Sequence, residues 1–83
     1  MRYRLTQHAQ KAMEEREILL PWIERTLESP ELCLPDPGDP GLERRYRRIP
    51  EFGNRVLRVI VSTGEDPRSI VSVFFDRNMK GVL

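Results

Sequence analysis

Two hydrophobic periodicities divide the chain: a repeat every three to four residues early on, and an alternation of period two in the second half. Leu5, Ala9, Ala12 and Met13 fall on one side of a helical wheel, with Gln10, Lys11 and Glu14 opposite and His8 and Arg16 along the apolar side. The Thr6 hydroxyl can accept from a free first-turn N–H, so the pattern predicts a helix over residues 7–16. Tyr3-Arg4-Leu5 ahead of it reads as a short first strand. A second helix starts around Pro21, a residue tolerated in a first turn because its missing N–H would have no intrahelical partner there. Trp22, Ile23, Thr26 and Leu27 share one face and Glu24, Arg25 and Glu28 the other, which makes Trp22 a core anchor. Pro30 disfavours a helical residue before it, so this helix ends near Glu28 or Ser29.

The second half reads as strands. Residues 31–34 form a short one, and residues 35–41 a loop with three prolines and two glycines. Three longer runs follow at residues 42–49, 55–62 and 68–76. They are separated by turns at Phe52-Gly53-Asn54 and Thr63-Gly64-Glu65-Asp66-Pro67, which predicts an antiparallel meander. Leu57, Val59 and Val61 make one apolar face of the middle run, and Val71, Val73 and Phe75 one of the last; both helices pack there. The opposite face mixes Val56, Arg58 and Ile60 with Ile70, Ser72 and Phe74. It reads either as a binding or dimer surface or as a second core beneath the tail at residues 78–83. The expected fold is α+β: two N-terminal helices on a three- to four-stranded antiparallel sheet.

Length confines this to a single domain over residues 1–83, because 83 residues supply one core and not two. No apolar run approaches the roughly 20 residues that span a bilayer, and the N-terminus lacks the apolar core of a signal peptide. The single cysteine, Cys33, cannot close an internal disulfide and sits between Leu32 and Leu34. It reads as a buried structural thiol, and the expected location is the cytoplasm.

Net charge is only +1, yet its distribution is uneven. Residues 1–34 carry five basic and six acidic side chains, a balance of −1, whereas residues 42–58 carry six arginines against Glu43 and Glu51, a balance of +4. Within that segment Arg44, Tyr46 and Arg48 fall on one face of a strand and Arg45 and Arg47 on the other. Guanidinium forks match phosphates and tyrosine can stack on a base, so the strip is a candidate contact for single-stranded RNA. The alternative is an edge strand kept from aggregating by charge. Both stay open, because the chain uses 12 arginines against two lysines throughout.

His8, the only histidine, has the chemistry of a general acid or base, but a two-histidine ribonuclease mechanism is excluded. Asp36 and Asp39 are too few for a calcium or magnesium site, and His8 with Cys33 lacks further zinc ligands. With no Gly-rich phosphate loop, dinucleotide fingerprint or nucleophile elbow, neither cofactor nor metal is implied.

His8-Ala9, Arg16, Pro21-Trp22-Ile23 and Leu27-Glu28-Ser29-Pro30 resemble the opening of an uncharacterised bacterial domain family. The resemblance continues through Tyr46 and the last two strands. The order of two helices followed by a sheet also resembles the small toxins of the RelE, ParE and BrnT type. That analogy implies a ribonuclease held inactive by a protein antitoxin. The resulting expectation is a toxin-like RNA-binding domain, with metal-independent ribonuclease activity an open question. Its catalytic candidates are His8, Tyr46, Arg48 and Arg58, and its RNA contacts Arg44, Arg45, Arg47 and Arg77, with Arg16 a further candidate. The alternative is a non-enzymatic domain that dimerises or binds a protein through Ile60, Ile70 and Phe74.

Overall fold

A computed structural model of the chain describes residues 2–83. The order is β1 (Tyr3–Leu5), α1 (Gln7–Glu15), α2 (Leu20–Glu28), β2 (Leu32–Pro35), β3 (Leu42–Ile49), β4 (Arg55–Ser62) and β5 (Arg68–Phe75). Short 3₁₀ turns stand at Pro50–Phe52 and Arg77–Met79. The strands form one sheet in the order β1-β5-β4-β3-β2. The α+β class holds, but the sheet has five strands and is mixed, not three- to four-stranded and antiparallel. β1 lies parallel to β5, with Tyr3 opposite Arg68 and Leu5 opposite Ile70. A parallel neighbour is possible because β1 and β5 lie far apart in sequence, with both helices and the other strands between them.

Both helices cover one face of the sheet. Thr6 caps α1, its Oγ1 accepting from the Ala9 N–H (3.1 Å) while donating to the Ile70 carbonyl (3.0 Å), which ties the helix to β5. The helix stops where Glu17 adopts a positive φ of 54° and the Ile18 N–H reaches the Met13 carbonyl. That turn tucks Ile18 into the core and leaves Arg16 exposed at the helix end. Ala9, Ala12, Ile18, Trp22, Ile23 and Leu27 meet Ile49, Leu57, Val59, Val61, Ile70 and Val73 across the layer boundary.

One β-bulge changes which residues of β5 face the helices. Ile60 pairs with Ser72, but Val61 pairs with Ile70, so Val71 is left without an opposite residue. The extra residue breaks strict alternation. Ile70, not Val71, therefore joins Val73 and Phe75 on the inner face, and Ile70 is fully buried. The expected Ile60–Ile70–Phe74 outer surface loses its central member.

Two arginines of β3 close the end of α2. The Arg45 Nη1–H donates to the Leu27 carbonyl (2.6 Å) and the Arg47 Nη1–H to the Ser29 carbonyl (2.7 Å). These carbonyls lack intrahelical partners and carry the negative end of the helix dipole, which cations complement. Cys33, expected to be buried, is exposed, because β2 is the edge strand of the sheet and has a neighbour, β3, on one side only. Partial desolvation, then the Glu43 charge, push its thiol up from the ordinary range, which disfavours the reactive thiolate.

Candidate nucleic-acid interface

The outer face carries Arg44, Tyr46 and Arg48 of β3 beside Ile60, Arg58 and Val56 of β4. Each arginine there has a carboxylate. Arg44 pairs with Asp36 (3.1 Å), Arg48 grips both oxygens of Glu31 (Oε2 at 2.8 and 3.1 Å, Oε1 at 3.3 Å), and Arg58 meets Asp76. Hydrogen bonds from Arg48 hold the Glu31 carboxyl below its usual range. The Gly38 N–H, then Arg44, do the same for Asp36. Arg58 is also sandwiched between rings, its guanidinium 4.3 Å from the Phe74 centroid and 5.6 Å from that of Tyr46. Tyr46 beneath it is buried, and the Arg58 Nε is buried without a hydrogen-bond partner. The strand that looks most basic in the sequence is thus largely neutralised.

On the inner face Arg45 is bound to Glu43 (2.7 Å), the Tyr3 hydroxyl and α2, and Arg47 to α2. His8 is exposed on α1, on the helix side of the sheet. Tyr46, Arg48 and Arg58 lie together on the other side, so the sheet stands between them and His8. Arg77 lies apart from β3, on the exposed turn after β5.

Where β4 begins and β5 ends, a concavity of roughly 620 Å³ opens at the edge of the molecule. Four cations line it: Arg16 from the end of α1, Arg55 at the start of β4, and Arg77 and Lys80 from the final turn. None of the four has a carboxylate partner among the described residues. Arg16 instead donates to the Val73 carbonyl (3.1 Å), a neutral acceptor that leaves its charge uncompensated. The one carboxylate of the lining, Asp76, is occupied by Arg58 and by the Asn78 N–H (3.0 Å).

Aromatic rings complete the lining. Phe52 sits on the turn between β3 and β4, which closes through Gly53 and Asn54 at φ 66° and 57°. Two consecutive left-handed residues are needed there, and glycine supplies the first without steric cost. Phe52 stacks on Trp22 (centroids 5.4 Å apart) and packs against Phe75 (5.1 Å). Arg55 lies over Phe52, 4.6 Å from its centroid. The turn is fixed to α2 by a two-pronged bridge from Arg25 to Glu51 (2.9 and 2.8 Å), which holds the Glu51 carboxyl down at about 2.

Sequence patterns single out Arg16 and Arg77 in this cluster but not Arg55, Lys80 or Phe52. The legible signal is Phe74-Phe75 followed by Arg77 and Lys80, a short basic and aromatic stretch whose lone acid is Asp76.

A family model for a domain of unknown function, DUF4258, matches residues 5–75. The chain belongs to this family. The match takes in both helices and all of β2 to β5, and includes Arg16, Phe52 and Arg55. Arg77 and Lys80 lie beyond it. Comparison with curated proteins and with solved structures gave no match, so the toxin likeness rests on the order of elements alone. None of the helices among the described residues is long and apolar enough to cross a membrane.

Proposed function

We propose that this DUF4258 domain binds RNA, with the phosphate backbone held at the concavity between α1, the start of β4 and the final turn. The observation that supports this reading is the partition of the cations. Arg44, Arg45, Arg48 and Arg58 are neutralised by carboxylates, whereas Arg16, Arg55, Arg77 and Lys80 converge without one. Uncompensated cations around one hollow attract a phosphate chain, and the aromatic and guanidinium surfaces beside them suit exposed bases. An RNA ligand implies a cytoplasmic protein, in keeping with the unpaired Cys33.

Binding is favoured over cleavage. A metal-independent ribonuclease needs a proton-transfer group at the bound phosphate. His8 is on the helix side and does not line the hollow, and Asp76 is already taken by Arg58. The toxin-like form of the reading therefore has weaker support than the RNA-binding form. The dimer or protein-partner alternative is weakened as well, since Ile70 is buried and Arg58 covers Phe74.

The test is anisotropy of a labelled single-stranded RNA across a salt series. Replacing Arg55, Arg77 and Lys80 together by alanine should weaken binding and flatten the salt dependence, by roughly 0.7 in log–log slope for each phosphate that is no longer neutralised. An Arg44→Ala, Arg48→Ala variant should bind nearly as wild type. The reverse pattern, with the β3 pair essential and the triple change silent, would return the interface to the outer face.

A further inference from the structure

Among the flat side chains that line the hollow, Arg55 differs from the phenylalanines in its exposure and contacts. A base can stack only on a surface with a free face. Phe74 has Arg58 over it, 4.3 Å from its centroid. Phe75 meets Trp22 edge-on (6.1 Å) and Phe52 at a tilt (5.1 Å). Phe52 has Trp22 on one side and Arg55 4.6 Å from its centroid. Trp22, Phe52 and Arg55 touch in succession from the buried indole to the exposed guanidinium. A guanidinium drawn over a ring by a cation–π contact keeps its other side for a further flat group, and arginine planes accept nucleobases by stacking.

Arg55 has neither a carboxylate partner nor a side-chain hydrogen bond to hold it elsewhere among the described residues, so its open face is available. Arg16, Arg77 and Lys80 line the same hollow and supply charge for the phosphate. A volume of roughly 620 Å³ lies in the range of small-ligand sites, about 300–1,000 Å³, which suits one nucleotide and not a duplex. We propose that the pocket binds a single unpaired nucleotide, its base stacked on Arg55 and its phosphate among Arg16, Arg77 and Lys80, so that the domain selects single-stranded over double-stranded RNA. This rests on the RNA-binding reading and narrows it to one unstacked nucleotide.

The experiment compares AMP with ribose phosphate, which carries the same anionic group and no base, as competitors of a labelled single-stranded RNA. A duplex RNA is tested alongside. AMP should compete roughly 5- to 140-fold better than ribose phosphate, the ratio that base stacking of about 1–3 kcal/mol produces. Arg55→Lys keeps the charge but loses the plane. It should collapse that ratio toward one while ribose phosphate competes as before. A second variant, Arg77→Glu with Lys80→Glu, is exposed and distant from the core; it should weaken both competitors together.

Equal competition by AMP and ribose phosphate, or equal binding of duplex and single strand, overturns the nucleotide seat while leaving RNA binding in place. Failure of any RNA to bind, with AMP still binding in direct calorimetry and weakened by Arg55→Lys, overturns the RNA reading and leaves a site for free mononucleotides. Failure of both removes the proposal entirely. An Arg55→Lys protein that retains the wild-type ratio also removes Arg55 as the platform, its folding being checked by circular dichroism.

Discussion

Arg45 has 13% of its side chain exposed, between the sheet and the end of α2, and three parts of the fold converge on it. It caps the Leu27 carbonyl, contacts the Tyr3 hydroxyl of β1 and neutralises Glu43, which Arg68 of β5 also reaches (3.2 Å). Truncation would leave a helix-end carbonyl unpartnered and reduce Glu43 to one cation in a partly buried setting. Arg45→Ala should therefore destabilise the domain by about 2–4 kcal/mol in urea unfolding. A surface ion pair would account for less than about 1 kcal/mol, so a loss that small would deny Arg45 a structural role. Because the same guanidinium points away from solvent, the folded variant should bind RNA as wild type does. Arg48 is the contrasting case: it is half-exposed and held by Glu31, so its removal changes little in the core.

The turn carrying Phe52 depends on an ion pair between elements. Arg25 of α2 grips Glu51 with two nitrogens, next to Phe52, which stacks on Trp22 of the same helix. The Glu51 carboxyl is lowered from 4.5 to about 2, first by the Arg25 hydrogen bonds. A carboxyl with a depressed folded-state pKa stabilises the fold above its unfolded pKa, and that contribution is lost as pH falls toward the folded value. Stability should thus decline as pH drops from about 4.5 toward about 2, and Glu51→Gln should decline less steeply over that window. Glu31 and Asp36 are lowered as well and add slope of the same sign in both proteins, so the comparison between variant and wild type is the measurement. Identical slopes in urea midpoints taken from pH 7 downward would count against a stabilising role for the bridge, and added salt should shrink the difference because the pair is half-exposed. Element boundaries of this kind were largely legible: β3 and β4 run over the residues their alternation predicts, and α2 ends before Pro30. What alternation could not reveal was the bulge at Val71, which exchanges Ile70 for Val71 on the inner face. Nor could it show which arginines are neutralised, because Arg48 meets Glu31 and Arg58 meets Asp76 across 17 and 18 residues of chain. The basic segment was visible in sequence, whereas its cancellation depends on tertiary partners. The uncompensated cations come from three separate elements, which no local window unites.

At the scale of the molecule, the question is whether the hollow faces solvent or a second copy. The radius of gyration of 11.8 Å matches the about 11.8 Å expected of one compact chain of this length. The large exposed apolar side chains are Leu19, Leu20, Leu34, Phe52 and Val82. Leu19 and Leu20 open α2, Leu34 is on β2, Phe52 is in the β3–β4 turn against Trp22 of α2, and Val82 is in the tail, so they belong to four elements and form no single apolar helix or strand face. The sheet edges are short: β1 offers three residues, and β2 has four and ends in Pro35, which cannot donate to a ladder. Phe74, the best remaining anchor on the outer face, is half-buried with Arg58 over it. The domain should therefore elute as a monomer of 9.8 kDa in sizing chromatography, run with reductant because Cys33 is exposed and could cross-link two copies. Phe74→Asp should leave that elution unchanged and lower thermal stability, through loss of the ring that packs Arg58. A wild-type dimer dissolved by the same change would instead make the outer face an interface, and would place the β3 arginines between subunits, out of reach of RNA. A monomer would leave the hollow at the start of β4 and the end of β5 open to solvent, where the RNA strand proposed above would reach it without displacing the helices from the inner face.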